Sequence, residues 1–421
     1  MTAPPSIPRE RFALLFAVML VAAAGNTAMQ SLMPAIGREL GVADLWVAVA
    51  FSLSAVIWVV MAPYWAKRAD HRGRRALMRL GLYGFIVSTL ICGGVLAAGL
   101  AGVLSATTVF LIFVLGRAVY GAWGCASPPA VQAYIAARTE GEQRTSALAA
   151  IASSFGLGTI IGPAVAPLFI FPPLGLSGPL IVFAAIGMVV LALVVLRLPD
   201  DTPKSAARGQ VVSYPSIGAV SGSGGLREGE AAGEPLRWRD PRVLPWHLIG
   251  VAGGHGHAAI LGVIGFLVID RLGLPLSEAQ QWIAIVLMAG AAASLLAQWG
   301  LIPYLALTPR QLGRWGSVLA AAGSAATGLA SGMYGITLGF ALLSLGFGLF
   351  RPGFTSGASL SVGLDEQNAV AGMVTSVNGV AFIAAPALGV LAYGWWMPLP
   401  FVATAVGMVV LALWVWAPVR G

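Results

Sequence analysis

The sequence predicts an all-α membrane protein of twelve transmembrane helices arranged as two six-helix halves. Three observations carry that expectation. Hydrophobic residues fill 58% of the 421 positions and charged residues only 10%, with mean hydropathy +0.86, whereas a soluble domain is about 25% charged. The apolar residues gather into twelve runs, and a bilayer core of about 30 Å takes about 20 apolar residues per helix. A polar segment, residues 199–244, divides those runs six and six.

The runs cover residues 12–35, 44–65, 78–98, 106–128, 146–171, 179–198, 245–269, 282–303, 312–331, 334–358, 368–392 and 399–417. The first follows a short polar stretch carrying Arg9 and Arg11. It is too long for a signal-peptide core and has no clear small-residue cleavage site, so it reads as a retained helix. An even number of spans puts both termini on one side. Basic residues are held in the cytoplasm, and with the N-terminus inside, 20 of the 24 Lys and Arg fall in cytoplasmic segments. The expected location is the bacterial inner membrane, with both termini cytoplasmic. This asymmetry accounts for the formal charge of +8 without a polyanionic partner, and nucleic acid is not expected.

The domain organisation is therefore 1–198, a cytoplasmic linker at 199–244, and 245–421. The linker is rich in Gly, Ser, Pro and charge, its Ser-Gly-Ser-Gly-Gly part reads as mobile, and its tail from Leu236 to Arg242 is expected along the membrane surface. Cys92 and Cys125 both fall inside apolar runs, so neither a disulfide framework nor zinc spacing is read. No cofactor and no metal centre are expected.

Between the second and third runs stands a basic stretch, Trp65-Ala-Lys-Arg-Ala-Asp-His-Arg-Gly-Arg-Arg75, which reads as a charged hairpin loop. It resembles the signature loop between helices 2 and 3 of the major facilitator superfamily, Gly-x-Leu-Ala-Asp-Arg-x-Gly-Arg-Arg/Lys. Ala69, Asp70, Gly73, Arg74 and Arg75 match; Ala66, Arg68 and His71 depart from the pattern. The resemblance implies two six-helix halves with a substrate path near mid-membrane. It also implies that Asp70, Arg74 and Arg75 form a cytoplasmic latch, with Gly73 making the tight turn. The alternative is a basic loop that only fixes orientation, for which an Asp does nothing.

The fourth span carries Arg117, Tyr120, Gly121 and Gly124 at i, i+3, i+4 and i+7, one helical face. It is similar to the family's Arg-x-x-Gln-Gly-x-Gly, with Tyr120 for Gln and Trp123 inserted before Gly124. A mid-membrane guanidinium costs several kcal/mol unless it meets water or a partner. The resemblance implicates Arg117 in proton or substrate handling; the alternative is a structural Arg bonded to backbone carbonyls. In the fifth span Gly158 and Gly162 permit close packing and Pro163 breaks the ladder. This resembles the Gly-x-x-x-Gly-Pro-x-x-Gly element of exporters in the superfamily, with Ala166 at the last Gly.

The seventh span carries His255 and His257, about 200° apart on a helix, which does not chelate one metal. One of them is expected to face the cavity and titrate near neutral pH, the other to bond a backbone or a neighbouring helix. The tenth span carries Arg351 beside Pro352; it either meets a substrate anion or snorkels to the interface. Weak echoes pair Arg117 with Arg351 in the fourth and tenth spans, and Gly162-Pro163 with Ala385-Pro386 in the fifth and eleventh. All 16 acidic residues lie outside the span centres, and the first span offers Asn26, Thr27 and Gln30 instead. A path lined by Arg and His without carboxylate favours anionic or zwitterionic substrates over lipophilic cations.

The junction Gly363-Leu-Asp-Glu-Gln367 followed by Gly372 is similar to bacterial drug-exporter relatives. The resemblance implies an alternating-access secondary transporter, a monomer in lipid, exporting small amphipathic compounds with protons as the coupling ion. Its substrate and proton pathway would use Arg117, Tyr120, Asn26, Gln30, His255, His257 and Arg351. The alternatives are a carrier for an anionic metabolite, sugar or siderophore, and more remotely an intramembrane enzyme or receptor. No convergent nucleophile, base or metal set supports an enzyme, and no phosphate loop supports an ATP-driven pump.

Overall fold

The computed structural model describes residues 7–136, 138, 147, 151, 154, 157–199, 236–305, 307–362 and 367–416; within these, the side chains of residues 63, 66–71, 136, 277, 367–369, 371, 372, 375, 415 and 416 lie outside the description. Twelve helices run through it. They are α1 Arg9–Glu39, α2 Asp44–Arg72, α3 Arg74–Leu100, α4 Ala106–Trp123, α5 Leu157–Phe169, α6 Gly178–Arg197, α7 Leu244–Leu272, α8 Leu276–Leu295, α9 Pro309–Leu329, α10 Met333–Leu360, α11 Gln367–Trp395 and α12 Leu399–Trp416. α4 continues through a tight turn at Gly124–Ala126 to Ala136. α8 continues through a widened π turn at Leu296–Leu301 to Leu305.

Nine of these are long and apolar enough to cross a membrane, and α5 and α12 are shorter apolar helices. The remaining one, α9, is diluted by Gly, Ala and Ser, a composition explained by its packing. α6 shows the solvent these helices are built for. It buries Phe183, Ala184, Gly187, Val190 and Val194 while leaving Ile186, Met188, Val189, Leu193 and Leu196 exposed. A helix apolar on both faces belongs in hydrocarbon.

Two expectations change. The basic stretch is not a loop: α2 stays helical to Arg72, and one residue, Gly73, at φ 83° and ψ 145°, separates it from α3. Ala66, Lys67, Arg68 and Ala69 are strong helix formers, so the helix outlasts its apolar run until Gly73 supplies a conformation that costs other residues about 1–3 kcal/mol. The spans also outrun the apolar segments, α1 reaching Arg9 and Glu39 rather than 12–35. Polar caps set other ends. Thr308 and Gln311 close a reciprocal capping box ahead of Pro309, and Ser105 accepts from the Thr108 amide at the start of α4.

The chain divides into two compact units, Met1–Ala43 with Ala50–Ser223, and Asp44–Val49 with Gly224–Gly421. Most of the segment expected as the linker, residues 200–235, lies outside the described residues, as do residues 363–366 of the junction before α11.

Lipid tails supply no hydrophobic drive between helices, so close packing must come from small residues and shared hydrogen bonds. In the N-terminal unit a Cβ on Gly162 would stand 2.2 Å from the Ala24 carbonyl oxygen, and one on Gly158 2.6 Å from Ala23 Cβ. Thr27 Oγ1 donates to the Gly158 carbonyl at 3.2 Å across the same seam. Arg75, at the start of α3, donates to the carbonyl of Val195 near the end of α6.

The tightest seam in the C-terminal unit joins α9 to α10. Gly339, Gly346 and Gly353 recur every seven residues on α10, and a Cβ on them would lie 2.7 Å from Thr327 N, 2.3 Å from Ala320 N and 2.7 Å from Gly313 N. α9 answers with Gly316 and Gly323, whose added Cβ would meet Phe350 N at 2.5 Å and Leu343 N at 2.1 Å. Backbone lies against backbone along this line. Ser324 Oγ then ties α9 to the Phe401 carbonyl of α12 at 2.7 Å. A similar close approach recurs between α7 and α11, where a Cβ on Gly389 would meet the Ala259 carbonyl oxygen at 2.7 Å.

Gly346→Val should destabilise the protein by about 1–3 kcal/mol, the cost of overpacking, because backbone cannot yield as a side chain can. Gly407→Val, on an open face with nothing within 4 Å, serves as the control. Thermal melts in detergent should separate the two, and equal melting temperatures would contradict the packing described.

Candidate functional site

Two polar clusters lie inside these helices, one in each unit. The first is built on Arg117 of α4, which is 4% exposed. Its guanidinium carbon sits 4.8 Å from the centre of the Phe51 ring and 4.9 Å from that of Tyr120, and its Nη1 is 3.7 Å from Met29 Sδ. Tyr120 is one turn from Arg117 on the same face, and Trp58 packs beside it with ring centres 5.3 Å apart. Ser54 donates to the carbonyl of Arg117 at 3.0 Å, pinning α2 to α4.

Among the described residues no carboxylate or carbonyl neutralises the charge in this cage. Arg117 Nε is buried without a hydrogen-bond partner among the described residues, and so are Trp58 Nε1 and Asn26 Oδ1. Each aromatic face offers a buried cation up to about 2 kcal/mol, while taking an ion out of water costs several. The expected alternative, a structural Arg held by backbone carbonyls, therefore has no such bond among the described residues. What remains is a cationic, aromatic-walled site with donors to spare.

The second cluster belongs to the C-terminal unit. Arg351 of α10 donates from Nε to Asn378 Oδ1 of α11 at 2.9 Å, and Asn378 Nδ2 donates to the Val374 carbonyl one turn back at 3.0 Å. Arg351 Nη2 is buried without a partner among the described residues. One turn before Arg351, Phe347 stacks on His257 of α7 with ring centres 4.3 Å apart and planes 20° from parallel. His255 bonds through Nδ1 to the Val251 carbonyl one turn back at 2.7 Å. A carbonyl only accepts, so Nδ1 carries that proton. Arg351 does not simply reach for an interface; it ties two helices together.

Of the other sequence-selected residues, Asn26 lies near the Arg117 cage and the rest do not gather at either cluster. Asn26 is half-buried on α1, one turn before Met29, whereas Gln30 is exposed. Gly158 and Gly162 lie at the α1 seam, outside the Arg117 cage, and Pro163 is buried next to them on α5. Arg74 and Arg75 open α3 after Gly73, while the side chain of Asp70 lies outside the described residues.

Sequence reasoning missed Met29, Phe51, Trp58, Phe347 and Asn378. Phe51, Ser54 and Trp58 recur at i, i+3 and i+7, a stripe legible on α2. Asn378 is an amide set within a long apolar run, the kind of residue that bonds across membrane helices. Phe347 and Met29 carried no signal that set them apart from lipid-facing neighbours.

Each unit of this multi-helix membrane body thus holds an arginine among its helices, Arg117 buried and Arg351 half-buried. The sequence profile of the Major Facilitator Superfamily matches residues 14–386, and the chain belongs to that family: it is a multi-pass membrane transporter with a small-molecule substrate, and not an enzyme. It is 26% identical over 147 residues to "Multidrug resistance protein MdtG" of Proteus mirabilis (strain HI4320), a match spanning 34% of this chain and 33% of that protein. Among solved structures it is similar to a bacterial homologue of the human lysosomal transporter Spinster, with TM-score 0.73, 12% identity and 98% and 97% of the two chains covered. The human organic anion transporter MFSD10 gives 0.64 at 16% identity over 97% and 100%, and the nucleoside transporter NupG 0.70 at 12% over 97% and 100%. At these identities the likeness is one of fold.

Arg117→Met removes the uncompensated charge while filling its volume, and exchanging buried ions for apolar groups is commonly neutral or stabilising. The variant should melt no lower than the parent and lose transport at least tenfold. A large fall in melting temperature would instead assign Arg117 to structure.

Proposed function

We propose that the chain is a secondary active exporter of small amphipathic compounds in the bacterial inner membrane, working by alternating access and driven by the proton gradient. The observation that carries this reading is Arg117, buried against Phe51, Tyr120 and Met29 with no counter-charge among the described residues. A cage of that kind favours amphipathic molecules with a negative or zwitterionic group over lipophilic cations. Export is supported by the Gly158, Gly162 and Pro163 element and by the likeness, over a third of its length, to a multidrug resistance protein. The distribution of Lys and Arg supports cytoplasmic termini. The protein acts as a monomer surrounded by lipid.

Proton coupling falls to histidine, because no acidic residue occupies a span centre. His255, with Nδ1 committed to the Val251 carbonyl, offers Nε2 as a single exchanging site. His257 is engaged on Phe347 and serves the substrate side. A second reading, a carrier for an anionic metabolite, rests on Arg351, a second guanidinium with no carboxylate on its helix or on α11.

The test measures luminal pH in proteoliposomes of the purified protein under an imposed proton gradient, with drugs, organic anions and sugars added singly. Proton release should accompany one class of compound and disappear in His255→Gln while substrate binding persists. Substrate movement with no proton flux would replace this reading with a facilitator.

The latch reading of Asp70, Gly73, Arg74 and Arg75 is separately testable. Asp70→Asn should lower the transport rate several-fold at normal membrane abundance, as read by initial rates normalised to protein in the membrane. Unchanged rates would reduce the basic stretch to an orientation signal.

A further inference from the structure

From the C-terminal cluster we propose that Arg351, oriented by Asn378, forms a carboxylate-binding subsite walled by His257 and Phe347, and that Asn378 is the residue that sets the transporter's preference for anions. The proposal rests on the export reading above for its substrate class and on the geometry of this unit for everything else.

Asn378 is held at both ends. Its Nδ2 is spent on the Val374 carbonyl at 3.0 Å, which leaves Oδ1 as an acceptor aimed at Arg351 Nε at 2.9 Å. A rigid guanidinium bonded through Nε cannot rotate its plane, so its Nη edge is fixed. That edge is the one that grips carboxylate with two parallel bonds. Nη2 is buried and finds no acceptor among the described residues.

A purely structural tie between α10 and α11 would satisfy the cation; this one leaves it hungry. α7, α10, α11 and α12 carry one acidic residue, Asp270, and its Oδ2 accepts from Tyr393 at 2.6 Å near the other end of α7. An unmet cationic donor away from water is costly. Arg351 and Asn378 are each half-buried as residues while Nη2 itself is shut off from solvent, so a ligand meets it only when the cluster opens. Phe347, one turn from Arg351 on α10 and stacked on His257 at 4.3 Å, puts an aromatic wall beside the charge. The ligand that fits is a planar or aromatic body bearing a carboxylate.

A neutral amide at position 378 is essential to this account, because a carboxylate there would neutralise Arg351 from within. Asn378→Asp therefore separates the two roles. If the residue were only a helix tie, the substitution would strengthen the tie and change nothing else.

The experiment measures binding of 2-naphthoate and 2-naphthamide, matched in shape and differing in charge, to the full-length protein in nanodiscs. The parent should bind the carboxylate at least tenfold more tightly than the amide. Asn378→Asp should melt at or above the parent, lose that preference by tenfold or more, and keep amide binding. Arg351→Lys, which retains charge but loses the planar fork, should weaken carboxylate binding several-fold. The proposal is overturned if the parent prefers neither probe or binds neither, or if Asn378→Asp leaves the carboxylate affinity within twofold. Export is read independently by luminal pH, so compounds that move protons without this charge preference would retire the subsite alone. A selective carboxylate site without coupled flux would keep the subsite and retire the export reading.

Discussion

The rest of the structure depends on how a guanidinium is kept in a membrane protein with no carboxylate beside it among the described residues. Arg117 is shut in by two aromatic faces and a thioether, which soften the cost of burial without removing it. Arg351 spends one donor on Asn378 and keeps another without a partner among the described residues. A protein selected only for stability would have placed apolar residues at both positions, since well-packed replacements of buried ions are commonly at least as stable. The deficit makes sense in a carrier whose ligand completes the site in transit. Coupling binding energy to a change of state requires that the two states differ in how well they hold the ligand; in the proposed mechanism an unsatisfied cation supplies that difference.

Around those sites the scaffold has to be rigid in a solvent that gives helices no reason to associate. Glycine meets the need by letting backbone approach backbone, most continuously where Gly339, Gly346 and Gly353 of α10 lie against Gly313, Ala320 and Thr327 of α9. Hydroxyls add the directional part: Ser54 on the Arg117 carbonyl, Ser294 on that of Ser344 and Ser324 on that of Phe401. Such bonds are each worth about 0.6–2 kcal/mol in membranes. The same stretch of α10 that makes the seam carries Phe347 and Arg351 on another face, so packing and recognition share one helix.

Span number and helical class were legible in the sequence because a bilayer leaves so little choice: every backbone group must be satisfied within its own segment. Arg117 was legible for the same reason, as an ionisable residue where none is affordable. The helicity of Ala66 to Arg72 was not, since charge was read as the end of a helix although only Gly73 ends it. Nor was the Arg117 cage. Phe51, Trp58 and Met29 are apolar residues among many, and only tertiary packing tells a ring that faces a cation from one that faces lipid. Asn378 could have been found as a lone amide in an apolar run; its orientation through Val374 could not, because that bond exists only once the helix forms. Gly158 and Gly162 announced close packing by their spacing, but the partner, α1, had to come from the fold.

The central claim is that uncompensated arginines fit this transporter to negatively charged ligands. The most direct measurement is the initial transport rate, in proteoliposomes, of one aromatic scaffold carrying an anionic, zwitterionic, neutral or cationic group. The account predicts the fastest rates for the anionic or zwitterionic form and the slowest for the cationic form, with the order flattened in Arg117→Met. A cation moved fastest by the parent protein would contradict it.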